Sequence, residues 1–196
     1  MSALATSSLI ERNRSCLVVI DVQQFFLDKL PLDWRQPLVE RMAWTMQVAN
    51  ALDIPIFATA EDIANDGPLV AELTALLPTG HTAFNKMVFG LAAQSGIRAA
   101  IEASGRDTFV LIGLETDVCI THSALGLRDL GYRPIVIADA TGSPPPHHEF
   151  GLARLREAGI TVTSLKGLYY EWVRDLETHA RVKETLNRPL PPGLTL

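Results

Sequence analysis

Hydrophobic and polar positions along the chain fall into blocks of two kinds. Short apolar runs rich in β-branched residues alternate with longer stretches whose apolar positions recur every three or four residues. The runs at 16–22 (CLVVIDV), 54–60 (IPIFATA), 108–114 (TFVLIGL) and 133–140 (RPIVIADA) are of strand length and largely lack polar alternation. That pattern predicts strands covered on both faces. Shorter strand candidates lie at 81–86 and 161–165. Helical spacing of Val39, Met42, Ala43, Met46 and Ala49 predicts a helix over 34–52. Further helices are predicted over 67–78, between two prolines, and over 92–104, 117–130, 147–158 and 167–186, with Gly159 as the C-cap of the fifth.

Six strand–helix alternations predict an α/β fold, a three-layer αβα arrangement around a six-stranded, mostly parallel, Rossmann-like sheet. Parallel strands need crossover connections, and helices supply them. Ligands of such sheets bind beyond the carboxyl ends of the strands, where strand order reverses. This rule selects a few polar positions: Asp21, the Glu61–Asp62 pair, Lys86, the turn from Glu115 to Cys119, and Asp139 with Thr141.

Composition narrows the partners. With 196 residues, 47% hydrophobic and 20% charged, the chain reads as one domain over 15–186 between tails at 1–14 and 187–196. The second tail (NRPLPPGLTL) cannot continue a helix and reads as an arm for a neighbouring subunit, in keeping with a homo-oligomer. A net charge of −5 leaves no basic stripe for nucleic acid. No run approaches the ~18 apolar residues of a membrane span, and no signal-peptide pattern opens the chain. Two cysteines are too few for a disulfide framework. A cytoplasmic protein acting on a small molecule is the expectation.

Three of the selected positions suggest chemistry. Asp21 is a carboxylate in an otherwise apolar strand, and either faces the cleft or caps the following turn. Lys86 lies among Phe84, Val88 and Phe89, where its stem either snorkels to water or is held inside. Cys119 falls in the first turn of the 117–130 helix, where unpaired N–H groups favour a thiolate and draw the thiol pKa toward neutrality. The charge of Asp117 opposes this unless it points away. A lone cysteine is more often a packing residue, and Cys16 fits that description. Together, however, a thiol, a carboxylate and an ammonium beyond strand ends make a nucleophile, a base and an electrostatic partner.

The segments LVVIDVQQFF (17–26), NKMVFG (85–90) and GLETDVCITHSALGLRDLGYRPIVIADATGS (113–143) resemble the isochorismatase-like cysteine hydrolase superfamily, over about 17–165. EDIANDGPLVAELTALLP (61–78) and GLYYEWVRD (167–175) are most similar to its YcaC-like branch. The resemblance implies Cys119 as nucleophile, Asp21 as its proton acceptor and Lys86 as the group that tunes both. It implies a cis peptide between Leu114 and Glu115, an oxyanion hole from the N–H groups of Glu115 and Cys119, and Phe26 in the substrate pocket, with Phe25 a close competitor. The implied activity is hydrolysis of a small amide through a covalent thioester.

Departures from relatives sharpen the expectation. Nicotinamidases carry histidines after the second strand that bind a metal. Here TAEDIANDG (59–67) has Glu61, Asp62 and Asp66 but no histidine, so neither metal nor cofactor is expected. Glu61 either faces the pocket or is a solvated turn acid. Isochorismatase itself lacks the cysteine, so Cys119 favours amide hydrolysis over ether cleavage. His147 and His148 are assigned capping or surface roles, Asp139 the shaping of a loop, and Tyr169, Tyr170 and Trp172 core or interface roles. The alternatives are a non-catalytic, ligand-binding oligomer on the same scaffold, and ether or ester hydrolysis.

Overall fold

The computed structural model describes residues 8–186 and 188–196, so 1–7 of the expected N-terminal tail and Asn187 of the C-terminal one lie outside the described residues. Six strands, β1 (Ser15–Ile20), β2 (Ile56–Glu61), β3 (Phe84–Lys86), β4 (Thr108–Leu114), β5 (Arg133–Gly142) and β6 (Thr161–Thr163), form one sheet. Its order is β3-β2-β1-β4-β5-β6, and every pairing is parallel. The helices are α1 (Gln24–Leu27), α2 (Leu32–Ala51), α3 (Ile63–Asp66), α4 (Ala71–Thr74), α5 (Ser95–Ala103), α6 (Thr121–Asp129), α7 (His147–Glu157), α8 (Leu165–Val173) and α9 (Leu176–Thr185).

Strand β1 explains the layering. All six of its residues are buried, because successive side chains enter opposite layers. Leu17 and Val19 join α2, α8 and α9 in one apolar cluster. Cys16, Val18 and Ile20 join α5, α6 and α7 in the other. Burial pushes the Cys16 thiol up to about 12, so this cysteine is an inert packing group. Among the described residues, no helix is long and apolar enough to cross a membrane.

The chain runs β1, β2, β3 toward one edge, then returns to lay β4 beside β1 on the other side. The strand order therefore reverses between β1 and β4, and in open parallel sheets ligands bind beyond the carboxyl ends of the strands at such a point. Gly113 in β4 makes the closest approach there. Its φ is 127°, and a Cβ would lie 2.0 Å from the Ile20 carbonyl oxygen. The pairing of β4 with β5 shifts register between Leu111 and Gly113, a local irregularity of the kind that re-aims a strand end.

Three elements differ from the sequence expectation. Residues 67–78 hold only the single helical turn α4. The Val70 N–H bonds the Val22 carbonyl at 2.9 Å and Leu69 bridges Gln23, which ties 67–70 to the end of β1. The expected helix over 167–186 is two helices. Arg174 turns left-handed at φ 67°, and Asp175 caps α9 by accepting the Thr178 N–H at 2.7 Å. The C-terminal tail is no free arm but lies on its own chain. Leu194 and Leu196 pack against the α2 side of the core, Arg41 donates to the Pro192 carbonyl at 3.0 Å, and Arg188 pairs with Glu72 at 2.5 Å.

Candidate active site

Four adjacent strands deliver four functional groups to one point. Asp21 follows β1, Glu61 ends β2, Lys86 ends β3, and Cys119 lies in the turn after β4. Glu61 and Lys86 are register partners, so their side chains leave the sheet side by side. The Lys86 ammonium stands at the centre, wholly buried. Its Nζ lies 3.0 Å from Asp21 Oδ2, 2.8 Å from Glu61 Oε2, 2.7 Å from the Val88 carbonyl and 3.6 Å from Cys119 Sγ. A buried ammonium is sustained only by such partners. Burial pulls Lys86 downward, but Asp21, Glu61 and Cys119 outweigh it and the net direction is up.

Asp21 is held by backbone and side chain together. Its φ of 51° is left-handed, a conformation that aspartate tolerates better than most residues and that clusters at functional sites. Its N–H donates to the Thr59 carbonyl at 3.0 Å, and the Thr59 hydroxyl donates to Oδ1 at 2.8 Å. Oδ2 meets Lys86 by charge, without an aligned hydrogen bond, and is fully buried. Burial pushes the Asp21 pKa up more than Lys86, Thr59 and Cys119 bring it down. It is therefore a stronger base than an exposed carboxylate.

Cys119 sits in a π-helical turn, Thr116–Ile120, that leads into α6. The peptide between Leu114 and Glu115, just before this turn, is cis. Helix α7 presses on the turn through Gly151, where a Cβ would lie 2.8 Å from Asp117 Cα. The sulfur is 2% exposed and donates to Glu61 Oε2 at 3.3 Å. The expectation of a thiol drawn toward neutrality is not met. Burial pushes Cys119 up, Asp21 adds to the rise, Lys86 opposes it and Glu61 adds again. Two carboxylates against one ammonium leave the cluster net negative before the sulfur ionises. The net direction is up, which favours the thiol over the thiolate.

The remaining sequence candidates divide into braces and bystanders. Phe26 is 5% exposed and belongs to the core, whereas Phe25 is 47% exposed; the Lys29 ammonium covers both rings at 4.5 and 4.4 Å. Asp117 accepts the Ser143 hydroxyl at 2.7 Å, so its carboxylate is engaged by the loop after β5. His147 lies 3.8 Å from Asp117 and His148 bonds the Thr116 hydroxyl at 2.8 Å; both support the cysteine turn. Asp139 is outside the cluster, accepting the Leu165 N–H at 2.7 Å. Trp172 donates to Ser15 Oγ at 3.1 Å inside the core, and Tyr169 bonds His179 at 2.9 Å.

Sequence reasoning missed two positioning residues. Buried Gln23 clamps Glu61 from both sides, donating to its carbonyl and accepting its N–H, each at 2.7 Å. Thr59 orients Asp21. Signals for the first were its place just past a buried strand and in the run Asp21–Val22–Gln23 that carries the family resemblance. Asp21, Glu61 and Cys119 also offer three ligand atoms within 4.8 Å of one another. Lys86 touches all three, so a divalent ion among them would face a fixed positive charge.

Comparisons with known proteins give the family and the fold. The isochorismatase domain family model matches residues 15–167. The mouse (Mus musculus) isochorismatase domain-containing protein 2A is 30% identical over 196 residues, covering 97% of this chain and 91% of its own. YcaC from Pseudomonas aeruginosa, solved with hexane-2,5-diol and covalent acrylamide, superposes with a TM-score of 0.83 at 20% identity, covering 92% of this chain and 91% of that one. YcaC from Escherichia coli, described as an octameric hydrolase of unknown specificity, gives 0.81 at 21% identity, covering 91% and 89%.

Proposed function

Because this chain belongs to the isochorismatase family of hydrolases, we propose that it hydrolyses the C–N bond of a small amide through a thioester on Cys119. The observation that carries this reading is the contact of one buried ammonium with Asp21, Glu61 and the sulfur, at 2.8 to 3.6 Å.

In the proposed reaction Asp21 takes the proton of the Cys119 thiol as the sulfur attacks the carbonyl carbon. The raised basicity of Asp21 suits it to that transfer. The N–H groups of Glu115 and Cys119 hold the oxyanion, each such donor being worth about 3 kcal/mol in the transition state. Asp21 then returns the proton to the leaving nitrogen as the C–N bond breaks. In the second half Asp21 deprotonates water, the hydroxide attacks the thioester, and the C–S bond breaks as the sulfur regains a proton. Lys86 stays charged throughout and offsets whichever of Asp21 and Cys119 is anionic. No metal or cofactor enters these steps.

The reading extends to assembly and compartment. We take 15–186 as the hydrolase domain and the protein as a homo-oligomer, on its likeness to an octameric relative and on the exposed apolar side chains Leu32, Phe89 and Phe150. Free Cys16 and Cys119 suit a cytoplasmic setting. A non-catalytic binding module is the second reading, favoured by the protonated resting thiol.

A panel of small primary amides, followed by ammonia release, tests the proposal. The wild type releases ammonia from at least one member, and Asp21→Asn, which keeps a residue tolerant of positive φ, lowers that rate by roughly 10²-fold or more. Undiminished release by Asp21→Asn, with its fold unchanged by circular dichroism, contradicts the assigned base. A panel with no turnover at all supports the binding module.

A further inference from the structure

The charge around the sulfur is unbalanced in a way that the reaction has to correct. Inside the cluster, Asp21 and Glu61 share one ammonium. Near the cysteine turn stand Glu115, whose Oε1 lies 3.7 Å from Lys29 Nζ, and Asp117, which is turned to Ser143 and His147. Glu115 is itself pushed up, first by burial and then, against Lys29, by the charges of Asp117 and Glu61. Two carboxylates thus face one ammonium around a sulfur that has to become anionic.

Glu61 is the excess charge. Its Oε2 is engaged by both Lys86 at 2.8 Å and the Cys119 thiol at 3.3 Å. Its side chain is 19% exposed, and Gln23 fixes its backbone from both sides, so this carboxylate is held at the boundary between the buried cluster and solvent. Oε1 enters none of these bonds. The neighbouring rim is suited to a cation as well. Phe25 and Phe26 already carry an ammonium, that of Lys29, 4.5 and 4.4 Å from their ring centres, drawn by the negative faces of the rings.

We propose that the amide substrate carries a cationic group on its acyl portion, an amine, amidine or guanidine, which pairs with Glu61 at the mouth of the site. Pairing neutralises the surplus carboxylate, releases the thiol from Glu61, and leaves Lys86 to balance Asp21 and the sulfur. The substrate thereby supplies the charge that the resting cluster lacks. Its place is the acyl portion because sulfur carries negative charge in both halves of the reaction, as it attacks and again as it leaves. A cation on the departing amine would be gone before the second half. This inference rests on the amide-hydrolase reading for its chemistry, and on the Glu61 geometry for its cation.

Alkylation of Cys119 separates the two. The thiol reacts with 2-bromoethylamine, protonated at neutral pH, and with iodoacetate; sulfur–carbon bonds form as bromide or iodide departs, and each rate is divided by that of free cysteine. At low salt the wild type favours the cationic reagent by roughly tenfold or more, a preference that falls as salt is raised. Glu61→Gln reduces the preference to about twofold or less, by removal of the charge. Equal normalised rates in the wild type, or a preference that Glu61→Gln leaves intact, overturn the proposal. In parallel, 4-aminobutyramide and butyramide are compared as substrates. Faster hydrolysis of the first, lost in Glu61→Gln, supports the proposal; equal hydrolysis of both overturns the cation while the hydrolase reading stands. Hydrolysis of neither, with the alkylation preference intact, leaves the cation seat standing and counts against the hydrolase.

Discussion

Cys119→Ala is expected to lower amide turnover by roughly 10⁴-fold or more while leaving the fold in place. Losses of that order follow when the nucleophile of a covalent mechanism is deleted, because the residual rate comes only from binding and oxyanion stabilisation. The structural cost is small by comparison. Cys119 is 2% exposed between α6 and the sheet, and its sulfur meets the Glu61 carboxylate and the Lys86 ammonium. An alanine leaves that carboxylate with Lys86 at 2.8 Å, so no charge is stranded, and a loss of about 1 kcal/mol is the ordinary size for such a change. Turnover assays and denaturant unfolding of the same preparation check both halves. A variant that is inactive because it is unfolded shows a shifted midpoint; the expected variant is inactive and folded.

Lys86→Met is expected to be the most damaging single change to stability. The methionine matches the length of the stem but removes the ammonium in contact with Asp21, Glu61 and the sulfur. Breaking a buried pair from one side costs about 3–5 kcal/mol, since the other charge is left uncompensated. The pH dependence identifies the cause. Burial already raises Asp21 in the folded protein, and loss of Lys86 raises it further. A carboxylate whose folded pKa lies above its unfolded value of ~3.9 contributes stability that is fully present below that value and is lost as pH rises through the folded pKa. The deficit of Lys86→Met relative to the wild type therefore narrows in acid and widens toward neutrality. Adding Asp21→Asn to Lys86→Met restores part of the loss at neutral pH. A deficit independent of pH, with no rescue by Asp21→Asn, would mean that packing and not charge sets the cost.

Much of this arrangement is legible in the amino-acid sequence, because the sheet is buried on both faces and its strands therefore read as apolar runs. Asp21, Lys86 and Cys119 stand out as polar groups at or just beyond the ends of such runs, and the rule for open parallel sheets brings them together without knowledge of the order of strands. What escaped has a local physical cause in each case. The 67–70 segment looks helical from its prolines and leucines, but a bridge to Gln23 and a bond to Val22 override that preference. The break at Arg174 was written in the Asp175–Thr178 capping pair, which a long amphipathic stripe concealed. The tail reads as an arm because prolines forbid a helix, whereas Leu194 and Leu196 find their apolar surface on their own chain.

The electrostatics were the least legible part. A thiol early in a helix suggests activation by the helix, yet burial and then Asp21 push it up, and Glu61, turned inward, adds to the rise. Nothing in TAEDIANDG separates Glu61, which enters the cluster, from Asp62, whose Oδ2 accepts an Asn65 amide at 2.7 Å on the surface. Only the register of β2 with β3, which pairs Glu61 with Lys86, makes that distinction. The same register brings Glu61 onto the sulfur, and with the thiol pushed up, Asp21, rather than the helix, is assigned the work of ionising it.

The most direct test is intact-protein and peptide mass spectrometry of the enzyme quenched in acid during turnover of an amide that it hydrolyses. The account predicts an acyl adduct, of the mass of the substrate less its amine, confined to the peptide bearing Cys119 and disappearing as substrate is exhausted. Turnover with no adduct on that peptide, or undiminished turnover by Cys119→Ala, would contradict it.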